Sequence, residues 1–136
     1  MQVSSSKETP KSGRWALNLY LVLAGLIQLG ILLQGFLIGA LLFAGAAWGK
    51  NLHGTMGLVL LIMALLLALV GLLTPMPGRI KVVGFVFFAL VIIQMLLASL
   101  GSSVPLVAAL HPANAMILFG LNIFLIIQAR RIMQGV

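Results

Sequence analysis

Two histidines, His53 and His111, are the only imidazoles in a sequence that has no cysteine and one acidic residue, Glu8. Thiolate chemistry, paired-carboxylate acid–base catalysis and the intramembrane carboxylates used by proton-coupled pumps therefore have no residues to run on. Enzyme activity in the strict sense is not expected. What remains is imidazole chemistry, and the two histidines share a local pattern. Each follows a leucine and has a small residue four positions on: Leu52-His53 with Gly57, and Leu110-His111 with Ala115.

Axial ligation of a haem iron uses such a pair most economically. It needs two imidazoles facing one another about 4 Å apart across the iron, each with an Fe–N bond near ~2 Å. Porphyrin is flat and wide, so the helix faces beside the ligands must be small. Gly57 and Ala115 lie one turn from His53 and His111 on the same faces. Lys50, the lone cation on that side of the chain, is the candidate partner for an anionic haem propionate. These five residues form the expected cofactor site, with His53 and His111 as the metal ligands and haem b as the cofactor.

The elements that must position these residues are apolar throughout. Of 136 residues, 62% are hydrophobic and 7% charged, against about a quarter charged in a soluble domain. Lipid must be the main solvent. A polar leader over residues 1–14, rich in Ser and Lys, is expected to be flexible. Trp15 to Ala47 then carries no charge, although a span needs only about 20 residues. The first span is placed at Ala16 to Ile38, with Gly39 to Leu52 as an apolar connection. A signal peptide's apolar region is about 7–15 residues, much shorter than this run, so cleavage is not expected.

The second span is read from His53 to Leu73, ending at Thr74-Pro75-Met76-Pro77-Gly78. The third covers Val82 to Leu100. The fourth begins between Pro105 and Pro112 and runs to about Ala129, followed by Arg130, Arg131 and a tail over 132–136. The domain of four helices thus covers 15–131, and short connections predict an all-α, up-down integral membrane bundle.

Lys7, Lys11, Arg14, Arg79, Lys81, Arg130 and Arg131 fall on one side of these spans and Lys50 on the other. That bias predicts cytoplasmic N- and C-termini. The basic residues sit at span ends without interleaved aromatics, which argues against nucleic acid as a partner. The sequence also carries a two-helix repeat pattern: Gln28 and then Leu52-His53 in the first half, Gln94 and then Leu110-His111 in the second. Its halves would be related by an axis along the membrane normal.

On these residues the chain resembles one four-helix half of a heme A synthase, over roughly residues 15 to 131. The halves of that family carry a histidine on their second and fourth helices near the extracytoplasmic side, positions matched by His53 and His111. The chain departs from the family in having one half, one histidine pair and no acidic residue between Gly39 and Leu52. The resemblance therefore implies haem binding without the farnesyl-haem oxidation chemistry. The Leu52-His53-Gly54 and Leu110-His111-Pro112-Ala113-Asn114-Ala115 strings also resemble small bacterial four-helix membrane proteins with paired histidines.

The leading expectation is a bis-histidine b-type haem protein that relays electrons or carries haem within a membrane complex. Two alternatives use the same sequence. A non-haem structural or assembly subunit would pack its apolar faces against other subunits, and a quinone- or lipid-binding protein would use the apolar connection after the first span.

Overall fold

The structure, a computed structural model, describes residues 11–101 and 103–135. Helix α1 spans Lys11–Ala44, α2 Ala47–Leu73, α3 Gly78–Ser99, the single turn α4 Pro105–Ala108 and α5 Leu110–Gln134. The fourth span comprises α4 and α5 together, and all four spans are long and apolar enough to cross a membrane. The expected all-α four-helix membrane bundle is what the chain forms.

Buried positions recur at intervals of three or four residues. They are Leu17, Tyr20, Ala24 and Ile27 on α1, Gly57, Leu60, Ala64, Leu67 and Gly71 on α2, and Ile80, Gly84, Phe87 and Val91 on α3. On α5 the series is Asn114, Leu118, Asn122, Leu125 and Ala129. Such a seam lets antiparallel helices pack ridges into grooves at shallow crossing angles. The other faces present Leu29, Phe36, Leu66, Val82 and Met116 outward, where hydrocarbon solvates them and the helices satisfy their own backbone.

In cross-section α1 and α3 each pack against both α2 and α5, while α2 and α5 face each other across a diagonal without close backbone approach. The link from α2 to α3 is tight. Thr74, extended as the residue before a proline must be, donates from Oγ1 to the Gly71 carbonyl, and Lys81 Nζ donates to the Leu72 carbonyl. Two of the last carbonyls of α2 are thereby satisfied at the end that also carries Arg79, Arg130 and Arg131.

Several predicted boundaries move. Helix α1 starts at Lys11, inside the expected leader, and continues to Ala44 rather than Ile38. Residues 1–10 of the flexible leader expected over 1–14 lie outside the described residues. The expected connection over Gly39 to Leu52 is nearly all helix; only Gly45 and Ala46 break it, with Gly45 at φ +64°. Glycine reaches that left-handed backbone without steric cost. Just beyond it, a Cβ on Gly49 would stand 2.5 Å from the Leu37 carbonyl oxygen, so the two backbones touch there. Helix α3 starts at Gly78, before the expected Val82, and ends at Ser99. The fourth span starts at Pro105, and α5 runs past Ala129 into the expected tail as far as Gln134.

Candidate functional site

The helical seam determines which polar side chains turn inward, because any polar residue at a seam position must share the interior with leucines. His53 and Gly57 continue the α2 seam one step beyond Leu60, and His111 continues the α5 seam one step beyond Asn114. Each histidine also lies six residues past the start of its span, counted from Ala47 for His53 and from Pro105 for His111. At ~1.5 Å per residue both sit about 9 Å below the rim. His53 is therefore well inside α2, whereas it was expected at the helix start, so a helix N-terminus does not lie beside it. His111 occupies the second position of α5, and the turn α4 precedes it.

Equal depth on diagonally opposed helices brings the two imidazoles together, with ring centroids 6.0 Å apart and planes inclined at 55°. Each ring is anchored to the neighbouring helix. His53 Nδ1 lies 3.3 Å from the Gln34 carbonyl oxygen on α1, and His111 Nδ1 lies 3.0 Å from the Gln94 carbonyl oxygen on α3. A carbonyl only accepts, so in each neutral ring Nδ1 carries the proton and Nε2 keeps its lone pair. Two half-buried imidazoles with orienting bonds on one nitrogen and free lone pairs on the other have the outer-shell arrangement of metal-bound histidine.

The remaining site residues are placed as follows. Gly57 is buried and Ala115 half-buried, each one turn below its histidine. A Cβ on Gly57 would stand 3.2 Å from Met95 Sδ and 3.4 Å from Gln34 Nε2, so these two flexible side chains fill the space beneath His53. Lys50 is exposed, one turn above His53. Among the described residues, no group of three or more His, Cys, Asp or Glu comes together.

The repeat acquires a different register. Gln34, not Gln28, matches Gln94 in receiving a histidine N–H on its carbonyl. Gln28 matches Gln94 in a second respect. Asn114 Nδ2 donates to the Leu90 carbonyl at 3.0 Å and to Gln94 Oε1 at 2.7 Å. Asn122 Nδ2 donates to the Ala24 carbonyl at 2.9 Å and to Gln28 Oε1 at 2.7 Å. In both cases an asparagine of α5 grips a carbonyl and the glutamine one turn later on an adjacent helix.

Asn122 was missed by sequence reasoning. Its signal was its spacing: eight residues from Asn114 is a rotation of about 80° around a helix, close to the angle between the two neighbours of a corner helix in a square bundle. One asparagine therefore points to α3 and the other to α1. The deeper pair is not fully satisfied, since Asn122 Oδ1 and Gln28 Nε2 are buried without partners, as are Gln34 Oε1 and Tyr20 OH.

No protein-family model matches this chain, and neither a curated protein nor a solved structure matches it. What it does must be read from the site itself.

Proposed function

We propose that the chain is a b-type haem protein of a bacterial plasma membrane in which His53 and His111 are the two axial ligands. The observation that carries this reading is the separation of two rings whose Nδ1 atoms are both engaged. Two Fe–N bonds of about 2 Å, with ~1.2 Å from each nitrogen to its ring centre, give roughly 6.4 Å between centroids. The observed separation is 6.0 Å.

The donor set points the same way. The whole chain has two histidines, no cysteine and one acidic residue, too few ligands for a bare transition-metal ion that wants four or more. A porphyrin brings four nitrogens of its own and asks the protein for two. Met95 and Gln34 occupy the space beneath His53, and the unbranched methionine is the side chain best able to swing aside. Gly57 and Ala115 keep the ligand-bearing faces low, and Lys50 above His53 is available to a propionate. The resemblance to a heme A synthase half agrees with the placement of the ligands on alternate spans.

A haem held this way would supply one-electron redox chemistry. With both axial positions taken by histidine, electron relay or haem carriage within a membrane complex fits better than ligand activation. Lys11, Arg14, Arg79, Lys81, Arg130 and Arg131 at the opposite end favour a cytoplasmic position for that end and for both termini.

The test is a reduced-minus-oxidised spectrum of protein purified from cells supplied with haem. A low-spin b-type spectrum that disappears in both His53→Ala and His111→Ala is the expected result. A colourless protein, or a spectrum indifferent to both substitutions, overturns the reading.

A further inference from the structure

At the arginine end, a groove of about 600 Å³ lies between α3 and α5. Its mouth is flanked by Arg79 and Arg131, with Gln128 beside them, and Ile80, Val83 and Phe124 line its apolar part. Both arginines are exposed, and the described residues contain no Asp or Glu at all. Among the described residues they have no carboxylate to pair with, which leaves their charge available to an anionic ligand.

The groove is graded along the bundle axis. Arg79 and Arg131 stand within the terminal turns of their helices, whereas Phe124 lies seven residues further into the span than Arg131. At ~1.5 Å per residue that is a descent of about 10 Å. A ligand seated there meets guanidinium groups first, then an amide, then hydrocarbon. Guanidinium forks match phosphate oxygens, an amide N–H matches an ester carbonyl, and the apolar floor matches the first methylenes of an acyl chain. Basic clefts between transmembrane helices are suited to acidic lipid headgroups.

We propose that this groove is a binding site for one anionic phospholipid, whose headgroup phosphate sits between Arg79 and Arg131 and whose acyl chain lies along Val83 and Phe124. The site is independent of the histidine pair, which lies at the other end of the bundle.

Native mass spectrometry of the full chain, released from micelles containing equal phosphatidylglycerol and phosphatidylethanolamine, tests the proposal. One retained phosphatidylglycerol is expected, with affinity falling about fivefold for each of Arg79→Gln and Arg131→Gln. The charge-conserving Arg79→Lys and Arg131→Lys should retain most of it, and Arg14→Gln with Arg130→Gln, at the same end but outside the groove, should leave it unchanged. Circular dichroism on each variant separates lost binding from lost fold. Equal retention of both lipids, equal losses from the Arg14/Arg130 pair, or displacement of the lipid by millimolar inorganic phosphate would overturn the proposal.

Discussion

Asn114 and Asn122 hold α5 to its two neighbours with the same two-bond grip, one on Leu90 and Gln94 of α3, the other on Ala24 and Gln28 of α1. In hydrocarbon there is little hydrophobic drive between helices, so packing and such bonds must specify which faces meet. The pair fixes both the rotation of α5 and the depth of His111, which lies three residues before Asn114.

Removing the deeper grip should be costly on one side and not when done on both. Asn122→Ala leaves Gln28 buried with an unmet amide and is expected to destabilise the bundle by about 1–3 kcal/mol. Asn122→Leu combined with Gln28→Leu should recover most of that loss, because both polar partners leave together. Unfolding in detergent micelles, followed by circular dichroism, measures both. A double variant no better than Asn122→Ala would show that the pair stabilises by more than satisfying itself.

The unpartnered Asn122 Oδ1 and Gln28 Nε2 offer one acceptor and one donor in the interior. Buried polar groups of this kind ordinarily hold an ordered water. An experimental density map at high resolution should show one within hydrogen-bonding distance of at least one of these atoms, and a dry, well-resolved interior would refute this.

The glycines sort themselves by what a methyl group would strike. Gly49→Ala drives Cβ to 2.5 Å from the Leu37 carbonyl oxygen, a backbone atom that cannot step aside, and should cost about 1–3 kcal/mol. Gly30→Ala meets the Leu60 side chain, with Cδ2 at 2.6 Å and Cγ at 3.4 Å, and should cost less because a side chain can shift where a backbone cannot. Gly25→Ala and Gly35→Ala meet nothing within 4 Å and should be neutral or stabilising by up to about 1 kcal/mol from helix propensity. Thermal unfolding of the four variants gives the order directly.

Gly57→Leu distinguishes a cofactor slot from a packing seam. Its side chain would enter the space now held by Met95 and Gln34. The haem spectrum should vanish while helicity is retained, and Gly57→Ala, with its nearest neighbour a flexible thioether at 3.2 Å, should keep both. Full haem loading of the leucine variant would remove Gly57 from the site.

In haem-free protein the histidines should contribute little to stability. His53 makes one long bond at 3.3 Å, and each ring is only half-buried. The double variant His53→Ala, His111→Ala is expected to unfold within about 1 kcal/mol of the haem-free parent. A loss several times larger would mean that the imidazoles are structural.

Spans and polar seams were legible to different degrees. Apolar runs broken by Thr74 to Gly78 and by Gly101 to Pro105 defined the spans and set His53 and His111 at one end. The hairpin between α1 and α2 was not legible, because Gly39 to Leu52 has a loop's glycine content but no proline, and no charge before Lys50, to stop a helix in lipid; only Gly45 turns the chain. The pairing of Gln34 with His53 was hidden as well. The atom His53 binds is a main-chain oxygen, which every residue has, so side-chain type could not single out Gln34 over Gln28. The grip of Asn122 depends on the angle between two positions on α5, which is visible only once both are known to face inward.

The rim around the histidine pair is uneven. Gln34 and Gln94 mark the level of the two imidazoles, yet α1 climbs ten residues above Gln34 before it ends, and α3 only five above Gln94. That is about 15 Å of wall on one side and ~7.5 Å on the other. A haem bound as proposed would meet the lower wall where α3 yields to the single turn α4. The rate at which a cofactor loads or leaves should respond to changes at Leu100 to Val104 far more than to changes at the tip formed by Leu42 and Phe43.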